Sequence, residues 1–262
     1  MADKAAMLNA RSVLVTGSNR GIGLAIIRQL VESSNSPEWI FATCREPEGP
    51  RAQELRNLAA KHQGVKIIQL EVTEPCSVQA AAARVTEHLQ GAGLNLLINN
   101  AGIVKPSTLE SETPENMSEV YKNNVIGPMV VSQAFLPLLR KASKESPQKG
   151  MSCSKAAIVN VSSKGGSITN PIFFHVGHFI NYRCSKAALN MLTRCQSLAL
   201  AEDKILSVAL YPGWVQTDMG NTIGQPPLTA DASVKKILNT LGHLSEKNNG
   251  TFVNWEGETV AW

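Results

Sequence analysis

The feature that most constrains the fold of this chain is a regular alternation of short apolar runs with longer helix-length segments. The apolar runs lie at residues 13–15, 39–42, 65–70, 94–98, 157–161 and 205–210, with a seventh candidate at 251–253. The segments with a helical pattern lie at residues 21–33, 51–61, 75–89, 114–139, 181–201 and 230–241. Apolar strands that alternate with helices are typical of a parallel sheet with helices on both faces. The pattern therefore predicts a doubly wound α/β fold.

Length and composition agree with one domain of this kind. The 262 residues are 43% hydrophobic and 18% charged, which is ordinary for a globular protein with a core on both faces of a sheet. We therefore expect a single domain over residues 1–262. Other segments break the strand–helix rhythm: an exposed, mobile loop at about 141–156, and substrate-side loops at about 168–180 and 213–229.

Charge and cysteine content argue against several classes of partner. The formal net charge is only +4 and like charges form no long run, so we expect neither a nucleic-acid partner nor a membrane partner. No stretch of about 18 apolar residues is present to span a bilayer. The five cysteines lack metal-ligand spacing, and His175 and His178 have no further ligands beside them, so we expect no metal site. Reduced thiols and the lack of a signal-like N-terminus predict a cytoplasmic protein.

A glycine-rich turn directly follows the first predicted strand. Gly17, Gly21 and Gly23 are spaced G-x-x-x-G-x-G, immediately before an apolar helix. Glycines at such a turn let the backbone approach a pyrophosphate, and the helix N-terminus presents free N–H groups and a positive dipole end. We interpret the turn as the dinucleotide site of a Rossmann-type three-layer sandwich with a central, mostly parallel seven-stranded sheet.

The end of the second predicted strand indicates which dinucleotide binds. An acidic residue there would hold the ribose 2′-hydroxyl of NAD and repel the extra phosphate of NADP. This chain has Arg45 there and Arg20 in the glycine turn, and both offer charge-assisted hydrogen bonds to a 2′-phosphate. The alternative is that both are solvated surface arginines, and Glu46 is a possible ion-pair partner of Arg45. We predict NADPH rather than NADH.

Tyr182 and Lys186 are the candidate acid–base pair. Residues four apart share one face of a helix, so we expect the phenol and the ammonium to point into one cleft. An unperturbed tyrosine has a pKa of about 10, and a neighbouring lysine cation would lower it and so favour proton donation to a carbonyl oxygen. By itself, such a pair is more often ordinary helix surface.

Polar residues near the ends of neighbouring strands accompany this pair. The fifth strand ends in Ser162 and Ser163, at the carboxyl edge where open α/β sheets bind ligands. Adjacent strand residues point to opposite faces, so only one of these serines serves the site. The fourth strand ends in Asn-Asn-Ala-Gly at 99–102, at the same edge. Asn123 and Asn124 interrupt a packable helical segment, where a buried amide needs a hydrogen-bond role.

Together these motifs resemble the short-chain dehydrogenase/reductase family over almost the whole chain. The matching elements are T-G-x-x-x-G-I-G at 16–23, N-N-A-G at 99–102, Asn124, the Ser163 region, Tyr182 with Lys186, and Pro212-Gly213 with Thr217. Within the family, the phrases at 19–24, 182–190, 212–219 and 250–253 resemble the Sniffer-type carbonyl reductases and the C-factor-like proteins.

The resemblance implies a catalytic tetrad and a set of cofactor contacts. Tyr182 would be the proton donor, and Lys186 would lower its pKa and bind the nicotinamide ribose. Ser163, which is followed by the family's x-x-Gly, would orient the carbonyl, and Asn124 would hold a water in a proton relay. The implied cofactor-binding residues are Gly17, Asn19, Arg20, Gly21, Ile22, Gly23, Arg45, Asn100, Ala101, Gly102, Tyr182, Lys186, Pro212, Gly213, Val215 and Thr217. The family also implies a homo-oligomer, a dimer or tetramer, formed through long helices such as 114–139.

Three departures from the family pattern are expected to affect the site. Residues 164–181 separate Ser163 from Tyr182, a longer gap than is usual, so the segment 168–180 should bulge over the cleft. Glu71 stands where the family has an aspartate near the adenine, which puts that contact in doubt. The bulging segment carries an aromatic cluster without a family counterpart, made of Phe173, Phe174, His175, His178 and Phe179.

The predicted reaction is hydride transfer from NADPH to a ketone, aldehyde or quinone. Trp214 and Met219 favour a hydrophobic small-molecule carbonyl substrate, and packing against protein alone would explain them equally well. Two alternatives stay open. One is an NADP-binding sensor or signalling protein of the C-factor type with little turnover, and the other is an NAD-dependent alcohol dehydrogenase that works in the oxidative direction.

Overall fold

A seven-stranded sheet forms the centre of the molecule. The structure, a computed structural model, describes residues 8–172, 174 and 177–262. The strands are β1 (Ser12–Thr16), β2 (Trp39–Cys44), β3 (Val65–Gln69), β4 (Leu96–Asn99), β5 (Ala157–Val161), β6 (Leu206–Tyr211) and β7 (Phe252–Asn254). Their order is β3-β2-β1-β4-β5-β6-β7, and every neighbouring pair is parallel. The predicted Rossmann-type α/β fold is confirmed, with a sheet that is parallel throughout.

Helices cover both faces of this sheet. They are α1 (Gly21–Glu32), α2 (Gln53–Lys61), α3 (Pro75–Leu89), α4 (Pro114–Tyr121), α5 (Gly127–Glu145), α6 (Ile180–Ala199) and α7 (Ala230–His243). Each face of the sheet has its own hydrophobic core, and successive residues of a strand point to opposite faces. Val13 and Val15 pack with residues of α1 and α7 on one face, and Leu14 packs with residues of α3 and α5 on the other. Among the described residues, no helix combines the length and the apolar character needed to cross a membrane.

The strand order creates the crevice in which a ligand site is expected. The chain runs outward from β1 to β3 and then returns to β4 on the other side of β1. Connections therefore leave β1 and β4 in opposite directions, and open parallel sheets bind ligands at such a switch point. The glycine turn after β1 and the 99–102 run at the end of β4 meet at this edge.

The long helix expected at 114–139 is divided by a π-turn. α4 ends at Tyr121, the π-turn spans Lys122–Ile126, and α5 begins at Gly127. Pro128 accounts for the interruption, because it has no N–H to donate and its ring crowds the preceding turn of helix. The turn contains Asn124, whose side chain is fully buried.

The exposed loop predicted at 141–156 is found only in part: residues 146–156 are irregular and 147–149 are exposed, while other residues of the segment lie in a helix or in the core. Its first residues belong to α5, which continues to Glu145. Met151 and Cys153 then pack into the core beside the sheet, and Cys153 is completely buried. Lys155 is also buried, with its Nζ donating to the Gly150 carbonyl at 3.2 Å. The polar composition predicted an exposed segment, but a few apolar side chains are enough to hold the segment against the core.

Candidate functional site

The glycine turn between β1 and α1 adopts a shape that larger residues would obstruct. Gly17 has φ +66°, in the left-handed region that favours glycine. A Cβ on Gly23 would lie 2.2 Å from the Gly17 carbonyl oxygen and 2.7 Å from Nδ2 of Asn100. The first turn of α1 has no side-chain cap and no acidic residue, so its N–H groups remain available to an anion. The turn has the features of a phosphate-binding cradle.

Asn100 ties this turn to the end of β4. Its Nδ2 donates to the carbonyl oxygens of Thr16 at 2.9 Å and Gly17 at 3.1 Å. Oγ1 of Thr16 in return accepts the backbone N–H groups of Asn100 and Ala101, each at 3.0 Å. The side chain of Asn100 thus holds the turn in place, and the two neighbouring strand ends act as one rigid unit.

Two arginines stand at the rim of the groove, and each is paired with a carboxylate. Arg20 Nη1 lies 2.8 Å from Oδ2 of Asp218, which belongs to the loop after β6. Arg45 Nε lies 3.6 Å from Oε2 of Glu71, so the partner of Arg45 is Glu71 and not the adjacent Glu46. Both arginines are largely exposed, and such ion pairs are weak, so a phosphate is able to displace the carboxylates.

Most of the residues expected to bind the cofactor line one continuous groove. They are Gly17, Asn19, Arg20, Gly21, Ile22, Arg45, Asn100, Ala101, Gly102, Tyr182, Lys186, Pro212 and Thr217. Glu71 lies in the same groove, beside Arg45. Gly213 and Val215 instead line an adjoining pocket, and Gly23 is buried behind the turn. The structure therefore brings together residues that are up to 200 positions apart in the sequence.

Tyr182 and Lys186 lie on the first turns of α6, where the groove meets the adjoining pocket. Nζ of Lys186 sits over the tyrosine ring, 5.6 Å from its centroid, and donates to the Val161 carbonyl at the end of β5 at 2.8 Å. Lys186 is only 4% exposed, and burial lowers its pKa to about 8. An ammonium with this pKa is able to exchange a proton near neutral pH.

Burial dominates the electrostatics of Tyr182. It raises the pKa of the phenol, while the interaction with Ser163 and the positive charge of Arg183 act to lower it. Arg183 is thus a second cation beside this phenol, and the effect expected of Lys186, whose Nζ lies over the ring, stays a prediction.

The two serines after β5 are placed differently. Oγ of Ser162 is buried and donates to Oδ1 of Asn190 on α6 at 2.6 Å, so it contributes to packing. Oγ of Ser163 accepts the N–H of Gly165 at 3.0 Å and lies in the adjoining pocket, where its interaction with the Tyr182 phenol lowers the pKa of that phenol. Ser163 is therefore the serine that a carbonyl oxygen beside Tyr182 would meet.

The side chain of Asn124 is held firmly in place. Oδ1 accepts the N–H of Ile103 at 2.8 Å, and Nδ2 donates to the Ile103 carbonyl at 2.9 Å and to Oγ of Ser185 at 3.0 Å, so both N–H donors of the amide are used. The backbone carbonyl of Asn124 has no α-helical partner, because the residue four positions on is Pro128 and has no N–H.

The adjoining pocket is mainly apolar. Its walls include Ile22, Val104, Ile172, Phe179, Pro212, Trp214, Val215, Met219 and Ile223, with Ser163, Tyr182, Arg183 and Tyr211 as polar members. Both loops expected on the substrate side contribute to it. Phe173 and His175 of the predicted aromatic cluster lie outside the described residues. Among those that the structure describes, no group of three or more histidine, cysteine or acidic residues is arranged to hold a metal.

The sequence analysis missed two pocket residues, Arg183 and Tyr211. Arg183 directly follows the catalytic tyrosine candidate, and Tyr211 ends β6, so both positions were visible as neighbours of recognised motifs. The pKa of Tyr211 is raised to about 12 by burial and by its neighbour Tyr182. It therefore remains a neutral phenol over the whole physiological pH range.

The buried Lys186 predicts a specific dependence of stability on pH. The pKa of Lys186 is about 8 in the folded chain and lies below its ordinary value of 10.5. At a pH between these two pKa values, the unfolded chain therefore binds one proton more than the folded chain. Stability from this group therefore rises as the pH increases from 8 towards 10, by an amount on the order of 3 kcal/mol at full deprotonation. Urea unfolding at pH 7 and pH 10 should show this rise in the wild type and a smaller one in Lys186→Met. The same rise in both proteins would assign it to other groups.

The fold and site can be compared with proteins of known sequence. The family model for short chain dehydrogenases matches residues 11–227 of the chain. An uncharacterised oxidoreductase of Schizosaccharomyces pombe is 30% identical over an alignment of 262 positions, which covers 94% of this chain and 96% of that protein. Human 17-beta-hydroxysteroid dehydrogenase type 2 is 31% identical over 216 residues, which are 82% of this chain and 50% of that protein.

Solved structures give a similar result. The crystal structure of NADPH-bound carbonyl reductase from chicken fatty liver is 57% identical, with a TM-score of 0.95 over 97% of this chain and 95% of that one. The carbonyl reductase Sniffer of D. melanogaster is 36% identical, with a TM-score of 0.91 over 97% of this chain and 100% of that one. Both similarities extend over almost the whole of this chain.

Proposed function

Because this chain belongs to the short-chain dehydrogenase family, it is an oxidoreductase, and we propose that it is an NADPH-dependent carbonyl reductase with Tyr182 as its general acid. The observation that carries the proposal is the placement of Tyr182 and Lys186. Both line the groove that begins at the glycine turn, and Tyr182 also faces the apolar pocket with Ser163. A dinucleotide in the groove and a carbonyl compound in the pocket would therefore meet at the phenol.

NADP is the cofactor that the groove fits. The glycine turn leaves a cradle that a Cβ would fill, and the uncapped N-terminus of α1 suits a pyrophosphate. Arg20 and Arg45 suit a 2′-phosphate, and Lys186 lies where a nicotinamide ribose would bind. The similar carbonyl reductase from chicken fatty liver is described with NADPH bound, which supports the same choice here. When bound, the reduced nicotinamide supplies the hydride for the carbonyl carbon.

Cofactor preference should depend on Arg45. Arg45→Asp replaces a cation at the groove by a carboxylate that repels a 2′-phosphate and can bond a 2′-hydroxyl. We expect the preference for NADPH over NADH to fall by about 10- to 150-fold, since hydrogen bonds to charged groups contribute roughly 1.5–3 kcal/mol. Steady-state kinetics with both cofactors measure it.

Arg84→Asp, on the exposed surface of α3, is the matched control for the same change of net charge. It should leave the preference unchanged. Glu71→Gln removes the carboxylate that competes for Arg45 and should tighten NADPH binding. An unaltered preference in Arg45→Asp would contradict the role of this arginine.

The chain's own residues provide the acid and the orientation for carbonyl reduction. Ser163 and Tyr182 both donate hydrogen bonds to the carbonyl oxygen, which polarises the bond and stabilises charge as it grows on that oxygen. Tyr182 then gives its proton to the oxygen, which completes the alcohol. Its raised pKa keeps the phenol protonated at neutral pH, as a proton donor must be.

The phenolate left behind needs a new proton. Lys186, with a pKa of about 8, is the adjacent group able to supply one. A Cβ on Gly102 would lie 3.6 Å from Nζ of Lys186 and 3.1 Å from Oδ1 of Asn124, so these two side chains are close neighbours. We assign to the backbone carbonyl of Asn124 the water through which Lys186 is reprotonated.

The pocket indicates the substrate class. Its walls are mostly apolar, and Trp214 and Met219 come from the 213–229 loop, so a hydrophobic ketone, aldehyde or quinone fits. Val215 and Leu228 form a bridge that closes this loop on itself, and Oγ1 of Thr217 caps the N–H of Gly220 at 3.0 Å. We assign to the loops 168–180 and 213–229 the exclusion of water from the bound substrate.

The proposal is tested with purified protein, NADPH and a panel that contains a quinone, an aromatic aldehyde and an α-diketone. We expect oxidation of NADPH with at least one of these compounds. The loss of absorbance at the band of the reduced nicotinamide measures it. Tight NADPH binding without turnover over the whole panel would contradict the reductase and favour an NADP-binding sensor.

We further propose a cytoplasmic enzyme that forms a homo-oligomer through the helices beside the site. The exposed apolar side chains Met191 and Leu198 of α6, both 64% exposed, and Ile126 of the π-turn support such an interface. The exposed cysteines Cys76, Cys184 and Cys195 suit a reducing compartment.

A further inference from the structure

Three of the described residues between Ser163 and Tyr182 are held by one side chain, that of Arg183. Its Nε donates to the His178 carbonyl at 2.7 Å, Nη1 to the Ile172 carbonyl at 3.0 Å and Nη2 to the Gly177 carbonyl at 3.2 Å. A guanidinium is the one side-chain group with donors spread widely enough to serve three carbonyls at once. These bonds join both ends of the long insertion to the start of α6.

Ring contacts reinforce this arrangement. The guanidinium carbon of Arg183 lies 5.3 Å from the centroid of the Phe174 ring. The same ring stacks on His178, with centroids 4.5 Å apart and an interplanar angle of 12°. The backbone N–H of Arg183 also bonds to the carbonyl of Phe179, a residue with φ +45°. Phe179 and Ile172 line the substrate pocket. Because Arg183 bonds to both residues, its contacts help to set the shape of that pocket wall.

The charge of Arg183 lies close to the proton donor. A Cβ on Gly165 would lie 3.3 Å from Oγ of Ser163 and 3.7 Å from Nη1 of Arg183, so the guanidinium is near the serine that interacts with the Tyr182 phenol. Arg183 lines the substrate pocket beside Tyr182, and its positive charge favours the Tyr182 phenolate. In the described part of the chain, no carboxylate forms an ion pair with this guanidinium, whose partners are neutral carbonyls. The phenol therefore experiences the charge without a compensating anion, in a partly buried setting where charges are poorly screened.

We propose that Arg183 is a positioning residue with two separable actions: its three-way hydrogen bonding shapes the wall of the substrate pocket, and its charge tunes the proton donor. The inference rests on the proposed reductase function and adds a residue to it. The first action depends on the shape of the guanidinium and the second only on a positive charge. Lysine and methionine substitutions therefore separate them.

The kinetic test compares Arg183→Lys and Arg183→Met over a range of pH. Both variants lose the three-carbonyl anchor, so KM for the carbonyl substrate should rise about tenfold or more, as expected for loss of a hydrogen bond from a charged group. Arg183→Lys keeps a cation, so the fall of kcat/KM at alkaline pH should stay in place. Arg183→Met removes the cation, so the pKa of Tyr182 should rise. The alkaline fall of kcat/KM should then move upward by about 1 pH unit.

A spectroscopic titration gives a readout that needs no turnover. The ultraviolet absorbance of tyrosinate is followed against pH in the wild type and in Arg183→Met, each with Tyr182→Phe subtracted in the same background. The signal assigned to Tyr182 should appear at higher pH in Arg183→Met. Arg194→Met, an exposed arginine on the same helix, is the matched control and should change neither KM nor the titration.

The outcomes distinguish this inference from the proposed function. If the wild type reduces no compound of the panel, the reductase proposal fails, and the tyrosinate titration still tests the charge of Arg183. If the wild type is active and both Arg183 variants keep its KM, the anchoring action is wrong. If Arg183→Met leaves both the alkaline fall and the titration in place, the tuning action is wrong. Circular dichroism and a thermal melt show that each variant is folded.

Discussion

Tyr182→Phe should lower kcat/KM for carbonyl reduction by about 10²- to 10⁴-fold, the range typical of losing a positioned general acid. The variant keeps the ring that fills the space beside Lys186 and Ser163 and loses only the proton that the alkoxide needs. Because the glycine turn and the rim arginines are untouched, NADPH should bind with nearly its original affinity. Steady-state kinetics and a fluorescence titration with NADPH measure the two effects separately.

Tyr211→Phe is the matched control for this prediction. It removes the other phenol of the same pocket, which lies at the end of β6 and not beside Lys186, and whose pKa of about 12 makes it a weak acid. We expect a change of KM of a few fold at most, in keeping with the loss of a single neutral hydrogen bond. Near-normal turnover in Tyr182→Phe, or an equal loss in both variants, would remove Tyr182 from the role of specific acid.

Gly23→Ala should weaken NADPH binding severely. The added methyl would lie 2.2 Å from the Gly17 carbonyl oxygen and 2.7 Å from Nδ2 of Asn100, both of them parts of the rigid unit that forms the phosphate cradle. Either the turn or α1 must move. Overpacking of this kind costs about 1–3 kcal/mol, which corresponds to roughly 5- to 150-fold in Kd when it falls on the bound state. Isothermal titration calorimetry with NADPH measures the loss.

Gly64→Ala separates binding from general destabilisation. Its Cβ would meet the Glu38 carbonyl oxygen at 2.7 Å, a similar clash, on the turn before the edge strand β3 and outside the groove. This variant should melt at a lower temperature than the wild type and bind NADPH normally. If Gly23→Ala also binds normally, the close approach of α1 to the glycine turn is not needed for the cofactor.

The part of the site that was predictable from sequence consists of residues within short motifs. The glycine turn, Tyr182 with Lys186, and the polar ends of β4 and β5 were recognisable because their spacing reflects local geometry, one helical turn or one strand end. Parallel strands then had to bring these ends to one edge of the sheet. The structure does place them there, in one groove and one pocket.

Long-range pairing was not predictable in this way. The partner of Arg45 is Glu71 and that of Arg20 is Asp218, each from a different connection of the sheet. Arg183 is a cation that favours the Tyr182 phenolate, whereas the spacing had pointed to Lys186 alone. Such pairings depend on side-chain direction and on loop conformation, and neither has a period that a sequence can reveal.

The sequence by itself determined the sheet, the position of the glycine turn, and which helix carries the tyrosine and the lysine. These follow from hydrophobic periodicity and from steric demands that act within a few residues. Only the tertiary structure decided that the carbonyls of Ile172, Gly177 and His178 meet at Arg183, and that a π-turn divides the long helix at Asn124. The reason is that an irregular loop takes its shape from contacts with the body it packs on, so its conformation exists only once the rest of the chain has folded.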